Sequence, residues 1–248
     1  MGDYDDYGNA VFGDERLSKR LPRLLNQLSS KPTESVSSAC GDPYQAKAAY
    51  RFVGNDEVTT EAITEITRKV TVGKIIADMP PVLLIPQDTS EFDFGNLKET
   101  DGLGNIGRNK GTRGIVVHSA VAIGEAGEIF GLMSQKLWIR PPEDFGKSDA
   151  TRSKLPIEDK ESYKWLETME AAGVPLPEGI KSVHICDREG DIYEFFCKAE
   201  KDGCTYLCRK AYSRNIEKED GLNKLDDLIE ALTVAGTTTV HVPRCQRQ

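Results

Sequence analysis

Two aspartates follow apolar, strand-like runs: Asp88 after "VLLIPQ" and Asp187 after "SVHIC". The second opens the stretch "CDREGDIY", which places Asp187, Glu189 and Asp191 around Arg188. Carboxylates crowded at a strand end are costly unless a cation, a basic side chain or water meets them. If the two strands are neighbours, the carboxylates converge at one edge of a sheet, where α/β sheets bind ligands. Such a pair suits Mg²⁺, a hard cation that takes one or two carboxylates and fills its shell with water and phosphate. Paired ions of this kind support phosphodiester chemistry. The bland alternative is that the aspartates cap local structure, with Glu189 and Asp191 charging the start of the helix that follows. The pattern alone leaves both readings open.

The elements that must position these acids fall into two regions. In the first, residues 12–30 predict an amphipathic helix, with Leu17, Leu21, Leu24, Leu25 and Leu28 on one face and Arg16, Lys19, Arg20 and Arg23 opposite. Pro22 allows two short helices meeting near Leu21 instead. "YQAKAAYRFVGN" predicts a short helix, and "DEVTTEAITEITRKVTVGKIIADMP" a longer one with Val58, Ala62, Ile66 and Val70 inward. Residues 1–78 are thus expected to be all-helical. The character changes at Pro80-Pro81. A strand is expected to end at Asp88, followed by a hairpin turning at Glu125-Ala126-Gly127, a helix over 160–173, and a strand–turn–helix around Asp187. "TYLCRKAYS" and "TTTVHVPR" read as further strands, with "KLDDLIEAL" a helix between them. Residues 79–248 are therefore expected to form a mixed sheet covered by helices, an α/β arrangement.

Other motifs carry less. "GLGNIG", residues 102–107, spells G-x-G-x-x-G but leads into a strand rather than opening a helix, so it is read as a flexible loop and no nucleotide cofactor is expected. Its basic tail, Arg108, Lys110 and Arg113, reads either as solvated charge or as phosphate contacts. His118, His184 and His241 lie in apolar strand-like runs and read as structural. The six cysteines form no C-x-x-C pair, so they read as reduced thiols. The net charge of −8 argues mildly against a nucleic-acid partner, although a local basic stripe overrides a global balance. No apolar run of about 18 residues predicts a membrane span, and the acidic N-terminus does not resemble a signal peptide. A cytoplasmic, nucleoid-associated protein is the expectation.

"CDREGDIY" resembles the block that holds the second aspartate of bacterial DDE transposases, most closely the insertion-sequence-four group and its Tn-five-like branch. "FGDERLSKRL", "AAYRFVGN", "IPQDTSEFDF", "GTRGIVVHSAVAI", "WIRP" and "KESYKW" resemble other blocks of that group in the same order, over about residues 11–243. The resemblance implies a ribonuclease-H-like mixed sheet with flanking helices, incomplete at its C-terminus, preceded by an all-α DNA-binding domain. It implies that Asp88 and Asp187 are catalytic ligands of Mg²⁺ or Mn²⁺. It further implies double-stranded DNA at transposon ends as partner, with Arg16, Lys19, Arg20 and Arg23 on phosphates and Arg188 and Arg209 near the active site. The group's third acid lies in Y-x-x-R-x-x-x-E-x-x-x-x-x-x-K, which does not occur here, so a C-terminally truncated family member is expected. Three readings follow: a transposase impaired in strand transfer, a non-catalytic DNA-binding remnant or inhibitor of a full-length transposase, and an unrelated metal-dependent phosphodiesterase.

Overall fold

The structure is a computed structural model that describes residues 4–9, 12–107, 111–141, 154–218 and 221–239. Its chain divides into two compact units, Met1–Arg209 and Lys210–Gln248. The first unit begins with a turn of 3-10 helix at Asp5–Asn9. Helix α1 follows, Glu15–Ser30, capped by the Asp14 carboxylate, which accepts from the Arg16 amide. It runs unbroken through Pro22, so the two-helix alternative does not hold. The leucine stripe outweighs the proline: Leu21 and Leu24 are buried, with Leu17, Leu25 and Leu28 packed beside them. The short helix α2, Val36–Ala39, was not expected from the sequence; Ser35 caps it. Helix α3, Pro43–Val53, starts with proline in its first turn, where no amide partner is lost, and with Asp42 as N-cap.

Helix α4, Thr60–Asp78, is capped by Thr59 and ends at Met79 in the left-handed region, φ 53°. Its expected inward face is shifted: Ile66, Thr71 and Ile75 are buried, and Val70 only in part. The helix contributes to two cores. Ile66 joins Phe12, Leu21, Leu24, Ala49 and Phe52, while Ile75 joins Leu83, Ile85, Ala120, Ala122, Phe130 and Met133 of the sheet.

The sheet contains β1 (Val82–Asp93), β2 (Gly104–Asn105), β3 (Arg113–Gly124), β4 (Ile129–Trp138), β5 (Lys181–Cys186) and β6 (Thr205–Cys208). β1 does not end at Asp88 as expected. Antiparallel pairing with β3 carries it on to Asp93, with Asp88 opposite Ser119 and Asp93 opposite Gly114. β3 also pairs with β4 through a hairpin turning at the expected residues, where Gly127 takes φ 94°. On its other edge β1 pairs parallel with β5, and β5 parallel with β6. The sheet is therefore mixed. Part of "GLGNIG" is ordered as the edge strand β2, paired to Arg113 and Gly114, rather than a simple loop. The reason is packing: Ile106 is buried.

Helix α5, Lys164–Ala172, follows a 3-10 turn at Glu161–Tyr163, and helix α6, Tyr193–Lys201, follows β5. Both pack through Trp165, Leu166, Met169, Phe195 and Ala199 against Cys186. The second unit holds an unexpected hairpin of β7 (Asn215–Lys218) and β8 (Gly221–Lys224), then α7 (Leu225–Ala231). Residues 237–239, the start of the expected last strand, carry no regular structure; the rest of it lies outside the described residues, as does His241. Among the described residues no helix is long and apolar enough to cross a membrane.

Pro22 tests how far packing overrides local preference. An interior proline costs about 3 kcal/mol, against a gain of under about 1 kcal/mol from a stiffer unfolded chain. Pro22→Ala should therefore raise stability by about 2 kcal/mol in urea unfolding; a loss of stability would show that the ring itself fills space the fold needs.

Candidate functional site

Two regions gather functional side chains. The first is the sheet edge carrying the aspartates. The β1–β5 register runs from Val82 opposite Lys181 to Pro86 opposite Ile185. Continued for two residues beyond the ladder, that register would set Asp88 of β1 beside Asp187, the residue after β5. Side chains alternate across a strand. Gln87 and Cys186 therefore point to the helix-covered face, where both are buried, and the two aspartates point to the opposite face, where both are exposed. The β5–β6 register ends at Cys186 opposite Cys208, so Arg209 follows in the same row, and its amide donates to the Cys186 carbonyl at 3.1 Å. The order across the edge is Asp88, Asp187, Arg209.

Each carboxylate is oriented by the main chain. Asp88 Oδ1 accepts from the Thr89 amide at 2.8 Å, and Asp187 Oδ1 accepts from the Glu189 amide at 2.8 Å, capping the 3-10 turn Arg188–Gly190. No hydrogen bond to the second oxygen of either is found among the described residues. Glu189 does not charge the start of α6. Its carboxylate lies 3.5 Å from Lys164 Nζ, which is buried against the face of Trp138, and α6 starts from Ile192 without a side-chain cap. Gly190 is tightly placed here: a Cβ on it would come within 2.8 Å of Cys186 Sγ.

Behind the aspartates lies a buried polar chain. Thr89 Oγ1 and His118 Nδ1 are 2.9 Å apart, His118 Nε2 and Gln87 Oε1 3.4 Å, and Gln87 Nε2 and His184 Nδ1 3.3 Å. One assignment satisfies every contact: Thr89 donates to His118, His118 Nε2–H donates to Gln87, and the Gln87 amide donates to His184. His118 is fully buried and stacks edge-on against Trp165 at 4.5 Å. Burial, aided by the charges of Lys164 and Lys136, lowers the His118 pKa to about 3, and burial alone lowers that of His184 to about 4. Both are neutral structural histidines, in agreement with the sequence reading.

The second region is the helical N-terminus. Its basic stripe on α1 is partly engaged: Arg16 pairs with Asp14 at 2.6 Å, Lys19 with Glu15 at 2.7 Å, and Arg20 Nη1 donates to Gln45 Oε1 at 2.6 Å. Arg23 is exposed. Exposed ion pairs are worth about 1 kcal/mol or less, so a phosphate can displace them. The sequence reading expected helix α3 but gave its outer face no role. Its buried side presents Ala46, Ala49 and Phe52, and its outer side Tyr44 (85% exposed), Lys47, Tyr50 (58%) and Arg51. Lys47, Tyr50 and Arg51 line an open groove of about 840 Å³ with Ser37, Asp42 and Gly54. The alternation of "YQAKAAYRF" held the signal, since aromatic and basic residues fall where the alanines do not.

Arg188 is exposed in the turn beside Asp187. Arg113 is tied by Nη2 to the Thr100 carbonyl at 2.9 Å, which holds it at the start of β3. Arg108 and Lys110 lie outside the described residues. No group of three or more His, Cys, Asp or Glu arranged to hold a metal ion is found among the described residues. All five described cysteines are free thiols.

Residues 5–58 match the model of the transposase DNA-binding family. The match covers the 3-10 turn, α1, α2 and α3, so this region is similar to a transposase DNA-binding domain. It supports a transposase, and it makes DNA the indicated partner despite the negative net charge.

The buried histidines fix a pH dependence. Their folded pKa values lie below the unfolded value of about 6.5, so the unfolded chain gains protons first as the pH falls. Stability from this source is fully present above about pH 6.5 and is lost as the pH falls, down to about pH 4 for His184 and about pH 3 for His118, at up to about 1.4 kcal/mol per pH unit for each histidine. Urea unfolding should give a free energy lower at pH 5 than at pH 7, with roughly half of the loss removed in His184→Gln. A flat profile would contradict the neutral, buried assignment.

Proposed function

We propose that this chain is a DDE transposase-family protein of the insertion-sequence-four group, Tn-five-like branch, which binds duplex DNA at transposon ends. The match of residues 5–58 to the transposase DNA-binding family carries the reading. The groove on α3 gives it a surface. Lys47 and Arg51 would neutralise phosphates there while Tyr44 and Tyr50 contact sugar or base edges, with Arg20 and Arg23 of α1 extending the footprint. Arg16 and Lys19 exchange their exposed carboxylate partners for phosphate.

The finer reading is a ribonuclease-H-like sheet that presents Asp88 and Asp187 to a divalent cation, Mg²⁺ or Mn²⁺. The mixed sheet supports it, with an antiparallel run β1–β3–β4 followed by β5 and β6 parallel to β1. The donor set also fits: two exposed carboxylates on neighbouring strands, each with one oxygen oriented by a backbone amide, leaving hard oxygen donors for the ion. When bound, the ion would polarise a DNA phosphate and the attacking oxygen. The chain's own contribution is placement. Asp88 and Asp187 would hold the ion at the edge, Arg209 beside them and Arg188 in the adjoining turn would draw in the phosphate backbone, and neutral His118 adds no competing charge behind the site. Two carboxylates also accommodate the rival reading, a protein that occupies transposon ends without completing strand transfer and so inhibits a full-length transposase.

Fluorescence anisotropy with a labelled duplex carrying the element's own terminal repeat tests the reading. Lys47→Glu/Arg51→Glu should weaken binding at least tenfold. Lys47→Ala should lower the slope of log affinity against log salt by about one. Repeat binding that survives both would remove α3 from the interface. Mg²⁺-dependent nicking of the same duplex, lost in Asp187→Asn, would establish the enzyme; binding with no nicking would favour the occupant.

A further inference from the structure

The main-chain ladder between β1 and β5 stops at Pro86 opposite Ile185, two residues short of the aspartates. Beyond that point the main-chain ladder of β1 continues with β3. Side chains take over where the ladder stops. Gln87 reaches back to His184 of β5 with its amide nitrogen and accepts from His118 of β3 with its oxygen, so a single side chain ties three strands together. Thr89, on the far side of Asp88, closes the same chain through its hydroxyl to His118. Both residues flanking Asp88 are thus anchored on the helix-covered face, while Asp88 itself points to the other. Gln87 is only 3% exposed, and a buried amide is costly unless both of its ends are bonded, as they are here. An apolar residue would fill the same space; it would not bridge β1 to β5.

We propose that the buried chain Thr89–His118–Gln87–His184 is a positioning device for Asp88, clamping the residues on either side of it so that its carboxylate stays beside Asp187. Its purpose rests on the reading of those two aspartates as a cation site. A pair of carboxylates depends strongly on its spacing, because metal–ligand distances must fall within about 0.2 Å of their ordinary values. The Thr89 amide that orients Asp88 Oδ1 belongs to a clamped residue, so the same device fixes both the position and the rotation of the carboxylate.

The test uses the whole chain with Mn²⁺ as probe. Affinity is read by water-proton relaxation, and amide hydrogen exchange at Thr89 by NMR in metal-free protein. Gln87→Leu keeps the volume and removes both bonds. Thr89→Val keeps the shape and the amide that orients Asp88 but removes the hydroxyl, and it carries the test should Gln87→Leu not fold. Each should weaken Mn²⁺ binding about tenfold, the usual cost of losing an outer partner of a metal ligand. Each should also speed Thr89 exchange at least tenfold while exchange in the hairpin β3–β4 is unchanged. Unchanged exchange at Thr89 in both variants would overturn the proposal. If Asp88→Asn binds Mn²⁺ as tightly as the unaltered protein, the cation reading fails instead, and the exchange comparison alone still decides whether the clamp exists.

Discussion

The structure depends on β1 being bonded along both edges. Antiparallel pairing to β3 from Leu83 to Asp93 and parallel pairing to β5 from Val82 to Pro86 make β1 central, and over that shared stretch its amides and carbonyls are satisfied within the sheet. This pairing holds β1 extended, and the pleat then sends Leu83, Ile85 and Gln87 toward the covered face and Asp88 toward the other. It also places the acids. A parallel pair brings equivalent ends of two strands to the same edge, so a residue after β5 and one late in β1 meet there without any special loop.

The covered face mixes apolar packing with polar residues that bond one another. Trp165, Met169 and Phe195 close over it from α5 and α6, and the histidines lie beneath them. Neutral imidazoles suit this place because each offers one donor and one acceptor, which lets a single glutamine bridge them. The cost is acid sensitivity, since protonation would bury a charge with no counter-ion facing it. Farther along, Arg140 gathers Glu91 of β1 and Glu161 of the turn before α5, and the hydrogen bonds to Glu161 hold its pKa above the ordinary arginine value. The far end of β1 is thereby anchored electrostatically, as its middle is anchored by the glutamine.

Much of this was legible in the sequence where periodicity is strong. The leucine stripe of α1, the turn at Gly127 and the strand–turn–helix at Asp187 follow from spacing and turn chemistry. The aspartates were legible as strand-end acids, but their adjacency was not, because strand order is a long-range property. Misreadings arose where a local signal met a tertiary one. Asp88 reads as a strand end because polar residues follow it, yet β3 supplies partners up to Asp93. Pro22 reads as a break, yet buried leucines on both sides hold the helix together. "GLGNIG" reads as loop because glycine is permissive; at Gly104 that permissiveness is a packing need, since a Cβ there would come within 2.4 Å of the Arg140 carbonyl oxygen. The outer face of α3 was passed over because its basic residues are spaced among alanines rather than clustered.

Helix α4 joins the two halves of the functional picture. Its early turns pack in the core beneath α1 and α3, and its later turns pack on β4, so one continuous helix belongs to both. A helix rises about 1.5 Å per residue, which puts Ile66 and Ile75 roughly 14 Å apart along one stiff rod. The helical core and the sheet are therefore registered to each other by the helix itself rather than through a flexible tether. The burial pattern follows the change of partner: Ile66 faces the helical core, whereas Thr71 and Ile75, on the other side of the helix, face the sheet.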